Sequence, residues 1–114
     1  MKLRKCVLLL PLAYNDGTAV PGAVLAEILR DIDDAFHGHT VAGTCQGAYR
    51  MAGGQLVHDE SLIVWVVVDA GRVEELGEHA RRFARMLKQE SLYFELTEAA
   101  PEFIRPLPGS GEEP

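Results

Sequence analysis

The residues of this chain best suited to chemistry are four histidines, two cysteines and a few adjacent carboxylates. His37 and His39 flank Gly38, Cys45 follows, and His58, Asp59 and Glu60 come next in the chain. Zinc needs three or four N, S or O ligands at about 2.0 to 2.3 Å, and a lone His-x-His pair supplies two. No further spacing forces a third ligand to converge, so the expectation is no metal and no cofactor, with His37 capping a helix end, His39 a polar strand start and Cys45 a small buried cysteine. A Cys45 nucleophile served by His58 or His79 would need a neighbouring cation to hold the thiolate. His79 sits instead beside Phe83 and Met86 at the edge of an apolar stripe, and is expected to cover it. Asp59 and Glu60 point apart on an extended chain and do not make a paired-carboxylate site.

A more open possibility lies in Tyr14-Asn15-Asp16-Gly17, which offers donors and acceptors at the mouth of the first strand, although Asn-Asp-Gly is also ordinary turn chemistry. Tyr14, Asn15 and Asp16 are therefore candidate ligand contacts, joined by Arg50 and Trp65 if the outer face of the sheet lines a cavity, and by His39 in the pool from which the site of a small enzyme would be drawn. No residue is assigned a catalytic role. Arg81, Arg85 and Lys88 on one helix, against Glu27, Asp31 and Asp34 on another, are expected to be complementary or solvated helix faces rather than an anion site.

The elements that must position these residues follow from periodicity. Residues 4–13 form a short apolar run closed by a turn, the pattern of a buried strand. Val24, Leu25, Ile28, Leu29, Ile32, Ala35 and Phe36 recur at helical spacing after Pro21, with Gly38 placed to cap the helix. From Thr40 to Met51 period two predicts an edge strand, with Val41, Gly43, Cys45, Gly47, Tyr49 and Met51 on one face; Gly53-Gly54 is a hairpin turn. Residues 61–71 are apolar at both alternating sets and predict a strand buried on both sides. Val73, Leu76, Ala80, Phe83, Ala84 and Leu87 mark a second helix to about Gln89, and residues 91–99 a last strand. The order strand, helix, strand, strand, helix, strand is the ferredoxin-like α+β arrangement: a four-stranded antiparallel sheet with two helices on one face. Residues 1–99 form that domain, and 100–114, with four of the six prolines, an extended tail ending in a mobile acidic stub.

Composition sets the outer limits. At 114 residues one domain is expected; a net charge of −6 argues against tracking nucleic-acid phosphates. No apolar run approaches the roughly 20 residues that cross a bilayer, and two cysteines with no secretory signal fit the cytoplasm.

At "LPLAYNDGTAVP", "GAYR" and "KQESLYFEL" the chain resembles a group of small uncharacterised bacterial proteins, with an aromatic-Arg pair in the second strand and a "QES" turn, Gln89-Glu90-Ser91, before the last strand. The resemblance implies a ferredoxin-like domain and no particular activity. In that turn Glu90 and Ser91 are expected to satisfy the open end of the second helix. More distantly the architecture is similar to the dimeric α+β barrel proteins, which implies a chamber between sheet and helices. The third strand is apolar on both sides while helices cover one, so a second copy is expected on the other, making a homodimer through the outer sheet face. The function expected is a non-enzymatic binding or assembly module. Alternatives are a small cofactor-independent enzyme of monooxygenase or isomerase type, and a small-ligand sensor.

Overall fold

The computed structural model describes residues 2–109. Strand β1 (Leu3–Pro11) leads into helix α1 (Gly22–Phe36), the hairpin of β2 (Thr40–Arg50) and β3 (Leu56–Asp69), a short 3-10 turn, helix α2 (Val73–Met86) and the three-residue strand β4 (Phe94–Leu96). The sheet order is β2-β3-β1-β4, every pair antiparallel, which is the expected ferredoxin-like arrangement. No described helix is long and apolar enough to cross a membrane.

Alternation of side chains divides the two central strands between two environments. Cys6, Leu8 and Leu10 of β1 and Val64, Val66 and Val68 of β3 face the helices and are buried. Ile28, Ile32 and Phe36 of α1 and Leu76, Ala80 and Phe83 of α2 close over them, with Leu87 beyond the helix end. Burial pushes the Cys6 thiol above its ordinary pKa, so it packs as a small hydrophobe. On the opposite face Val7 pairs with Trp65 and Leu9 with Ile63, while Lys5 pairs with Val67 and holds its ammonium 4.8 Å from the Trp65 ring. These apolar residues stay half-buried in the single chain.

Several local expectations are corrected. β3 begins at Leu56, five residues before the expected start at residue 61, so His58, Asp59 and Glu60 lie on the strand opposite Ala48, Gly47 and Gln46. The β2–β3 pairing slips between Val41 and Gly43, where Ala42 is an extra residue and Gly43 has φ +122°. The bulge turns Val41 to the helix side, opposite Val64, while Gly43, Cys45, Gly47 and Tyr49 keep the other face. At the end of α1 it is His37 itself that adopts the left-handed conformation, φ +70°, donating its backbone N–H to Asp33 O.

The helix pairing also differs from the expected lines of charge. Asp31 of α1 accepts from His79 Nδ1 at 2.8 Å and pairs with the Arg82 guanidinium at 2.5 Å, while Arg81 pairs with Glu78 of its own helix. His79 lies edge-on to Phe36, centroids 5.5 Å apart, so its ring covers apolar surface while its nitrogen crosses to α1. At residues 100–109 no regular element forms, and from Glu102 onward every described residue is exposed. The acidic stub lies outside the described residues.

Partial burial raises the Asp31 pKa, but hydrogen bonds from His79 and Arg82 and the Arg82 charge outweigh it and leave the pKa below the ordinary 3.8. Asp31 therefore stabilises the fold above its unfolded pKa and loses that contribution as pH falls through the folded value. Asp31→Asn should lower stability by about 1 kcal/mol at neutral pH, with the gap to wild type closing below about pH 4 in urea titrations. A gap that does not narrow as the pH falls below about 4 would contradict this assignment.

Candidate functional site

Three stretches far apart in the chain meet where the β2–β3 hairpin overruns β1. Beyond the Pro11–Ser61 pair, residues 56–60 of β3 have only β2 as a strand neighbour, and the tip of this hairpin reaches the segment that follows α2. That segment leaves the helix through a Schellman closure: Gln89 N donates to Ala84 O and Lys88 N to Arg85 O, with Lys88 at φ +55°. The closure turns the chain sharply and aims the Gln89 side chain back across the sheet end.

Gln89 then joins all three stretches. Its Oε1 accepts from the Tyr49 hydroxyl at 3.0 Å, and its Nε2 donates to Asn15 Oδ1 at 3.2 Å and to Leu87 O at 3.1 Å. Both amide hydrogens and the carbonyl are used, which fixes the amide's orientation. Next to it Glu90 accepts from Ala52 N, 3.2 Å away in the hairpin turn, and Lys88 holds its ammonium 4.9 Å from the Tyr14 ring. The expectation that Glu90 and Ser91 finish the helix is thus corrected: Gln89 bonds the open helix carbonyl, and Glu90 ties down the hairpin.

Beside this junction a cleft of about 340 Å³ opens on the outer face of the sheet. Leu9 and Pro11 supply apolar floor, Gly47, Tyr49 and Asp59 come from the hairpin, and Gln89, Ser91, Leu92 and Tyr93 form a rim. A Cβ on Gly47 would lie 3.6 Å from Asp59 Oδ1, ordinary contact, so glycine keeps the space beside the carboxylate open. No lysine, arginine or histidine is among the lining residues. Burial first, then the charges of Asp59 and Glu90, push the Tyr49 phenol above its ordinary pKa. The cleft therefore offers an aromatic edge, hydroxyl and amide groups and a net negative field. That combination disfavours a phosphate and suits a neutral or cationic guest.

The six residues expected to contact a ligand divide between two regions. Asn15 holds Gln89 in place, and Tyr14 lies under Lys88 nearby. Asp16 accepts from the backbone N–H and hydroxyl of Thr18, which lowers its pKa and builds the turn. Arg50 donates to Gly54 O within the hairpin turn at 2.7 Å. His39 and Trp65 lie toward the other end of β2, His39 with Nδ1 2.5 Å from Asp33 Oδ1 and Trp65 opposite Thr40. Among the described residues no group of three His, Cys, Asp or Glu side chains comes together. Sequence reasoning missed Tyr49 paired with Gln89, and Asp59; the available signal was that the three quoted stretches each carried a polar or aromatic residue beside a turn.

Neither a family model nor a curated protein sequence matches the chain. Among solved structures it is similar to a phage SAM lyase in complex with S-methyl-5′-thioadenosine, with TM-score 0.68 and 16% identity over 85% of this chain and 81% of that one. It is similar to the divalent cation tolerance protein CutA1 of Thermus thermophilus, with TM-score 0.62 and 14% identity over 89% of this chain and 87% of that one. A Bacillus cereus protein related to NIF3 gives TM-score 0.60 and 14% identity, covering 87% of this chain but 26% of the other. At these identities the likeness is one of fold.

Gln89→Leu keeps the bulk and removes every side-chain hydrogen bond that Gln89 makes at the junction. It should destabilise the protein by about 1 to 3 kcal/mol and raise amide exchange in residues 49–57 well above that of the central strands. Unchanged exchange at the hairpin tip would show that Gln89 does not hold it.

Proposed function

We propose that the protein is a non-enzymatic, homodimeric binding module that takes a small unphosphorylated ring compound, neutral or cationic, in the cleft between Tyr49, Asp59 and Gln89. One observation carries this reading: an apolar floor ringed by hydroxyl, amide and carboxylate groups without a single basic side chain among the lining residues. A volume of about 340 Å³ falls at the small end of ligand pockets. Tyr49 and Tyr93 supply edges for a flat ring, Asp59 attracts a positive centre, and Asn15 acts through Gln89 by fixing its amide. Tyr14 and Asn15, expected at the ligand mouth, thus support the cleft from behind.

The second copy belongs on the outer face, where Val7, Leu9, Ile63, Trp65 and Val67 form a contiguous apolar surface that neither helix reaches. Withdrawing this surface from water at about 25 cal/mol per Å² is the gain that a twofold pair would draw on. Leu9 belongs both to this face and to the cleft floor, so pairing and ligand binding are adjacent. A cytoplasmic setting, in which Cys6 and Cys45 stay as thiols, suits this reading.

The phage SAM lyase was solved with S-methyl-5′-thioadenosine, an unphosphorylated compound of the chemical class the cleft suits, and it serves as a probe. Calorimetry should detect its binding, with Gly47→Phe and Asp59→Lys each weakening it at least about tenfold. Adenosine monophosphate should bind more weakly than the probe. A preference for the phosphate, or equal binding by the filled Gly47→Phe cleft, would refute the assignment. In sedimentation at micromolar concentration the wild type should run as a dimer and an Ile63→Glu, Trp65→Glu double variant as a folded monomer. A wild-type monomer would remove the dimer from this reading.

A further inference from the structure

A second concavity, about 560 Å³, lies on the other side of the 89–93 segment, between α2 and β4. Its wall on α2 is low, because Gly77, Ala80 and Ala84 present little side chain, and Phe94 and Leu92 give it an apolar base. Arg81 and Arg85 stand along one side and Glu90 at the end. Among the described residues Arg85 has no acidic partner, and Arg81 reaches only the exposed Glu78 at 3.4 Å. The groove is thus shallow, apolar along its floor and mainly positive at its edge.

The same chain carries a segment of matching character. After β4 the backbone bonds once more to the sheet, Thr97 N to Lys5 O, and then leaves it. Phe103, Ile104 and Leu107 are 71%, 85% and 80% exposed, more than any other large apolar side chain among the described residues. Pro101, Pro106 and Pro108 keep the segment extended, which reduces the entropy lost on docking. Glu98 and Glu102 precede the apolar cluster and Arg105 lies within it, so charge falls as acidic then basic. The groove offers the complement, Arg81 and Arg85 followed by Glu90.

We propose that residues 98–108 of one copy dock in the α2–β4 groove of a second copy, with Phe103 and Ile104 between the low Gly77-Ala80-Ala84 wall and the Leu92-Phe94 base and Glu98 and Glu102 toward Arg81 and Arg85. This contact is separate from the outer sheet face: it uses the helix side of the molecule and exchanges an extended segment rather than pairing two surfaces. The cleft beside Asp59 is a poorer host, since its carboxylate repels an acidic segment. Because Gln89 and Glu90 belong to both the groove and the junction that braces the cleft, tail docking bears directly on the wall of the proposed ligand site.

Amide exchange on the full-length protein tests this, with sedimentation run on the same samples. Above the association concentration, amides of residues 99–105 should exchange at least about tenfold more slowly than in a free chain and lose that protection on dilution. Arg81→Glu with Arg85→Glu should release the tail while the sheet-face dimer persists in sedimentation, and adding Glu98→Arg with Glu102→Arg should restore protection. Phe103→Ser with Ile104→Ser should release it without altering the folded domain by circular dichroism. Protection independent of concentration would mean that the tail folds back on its own chain, and a tail unprotected in a dimeric sample would mean that the groove has another use; either overturns the proposal. A sample that is monomeric throughout overturns the sheet-face dimer and this contact together, whereas a dimer with a free tail overturns this contact alone.

Discussion

The physical constraint on which the molecule depends is that its two central strands are apolar on both faces while its helices cover one. A side chain in a strand faces the opposite way from its neighbours, so Val64, Val66 and Val68 can pack under α1 and α2 only if Ile63, Trp65 and Val67 point away. The inner set, with Cys6, Leu8 and Leu10, supplies a core of side chains withdrawn from solvent. The outer set is sheltered only by its own neighbours and by the stem of Lys5 over Trp65. That asymmetry leaves the outer face as the uncovered apolar side of the sheet.

The hairpin adds a second requirement, because its tip extends past the strand that would otherwise support it. Two-stranded ribbons are marginal alone. Here the tip is secured by side chains: Tyr49 through Gln89, and the Ala52 amide through Glu90. The enabling step is the left-handed Lys88, which reverses the chain after α2 and delivers Gln89 to a position between Asn15 and Tyr49. A positive φ at a lysine is disfavoured, and two backbone hydrogen bonds at the helix end offset it. The cleft is a consequence of this bracing, since the rim that anchors the hairpin also walls the space over Leu9 and Pro11.

The helical layer shows how similar charges can serve different ends. Asp31 is drawn between His79 and Arg82, and the His79 ring fills the gap between Phe36 and Phe83. Arg81 and Arg85, one step around the same helix, face outward to the α2–β4 groove. A helical repeat of 3.6 residues puts consecutive arginines on different faces, so one locks the two helices and its neighbours remain available to a partner.

Periodicity and composition determined the elements and their order, because burial demands leave a two-residue or 3.6-residue signature whatever the neighbours are. The apolar runs at Val7–Leu10 and Leu62–Val68 identified the central strands, the stripes of α1 and α2 identified the covering helices, and the double-sided third strand announced an uncovered face. Tertiary structure alone decided which face that was, since Val64 and Trp65 are equally apolar and only registration against β1 and the helices separates them. It also decided the bulge at Ala42, which follows from pairing between strands, and the side of the helix pair that Asp31 engages. The candidate site belongs to the same class. Asn15 stands out in its turn, but nothing local joins it to Tyr49 and Gln89: hydrogen bonds spanning 40 and 74 positions of sequence exist only once the sheet and the reversal at Lys88 have brought those residues together.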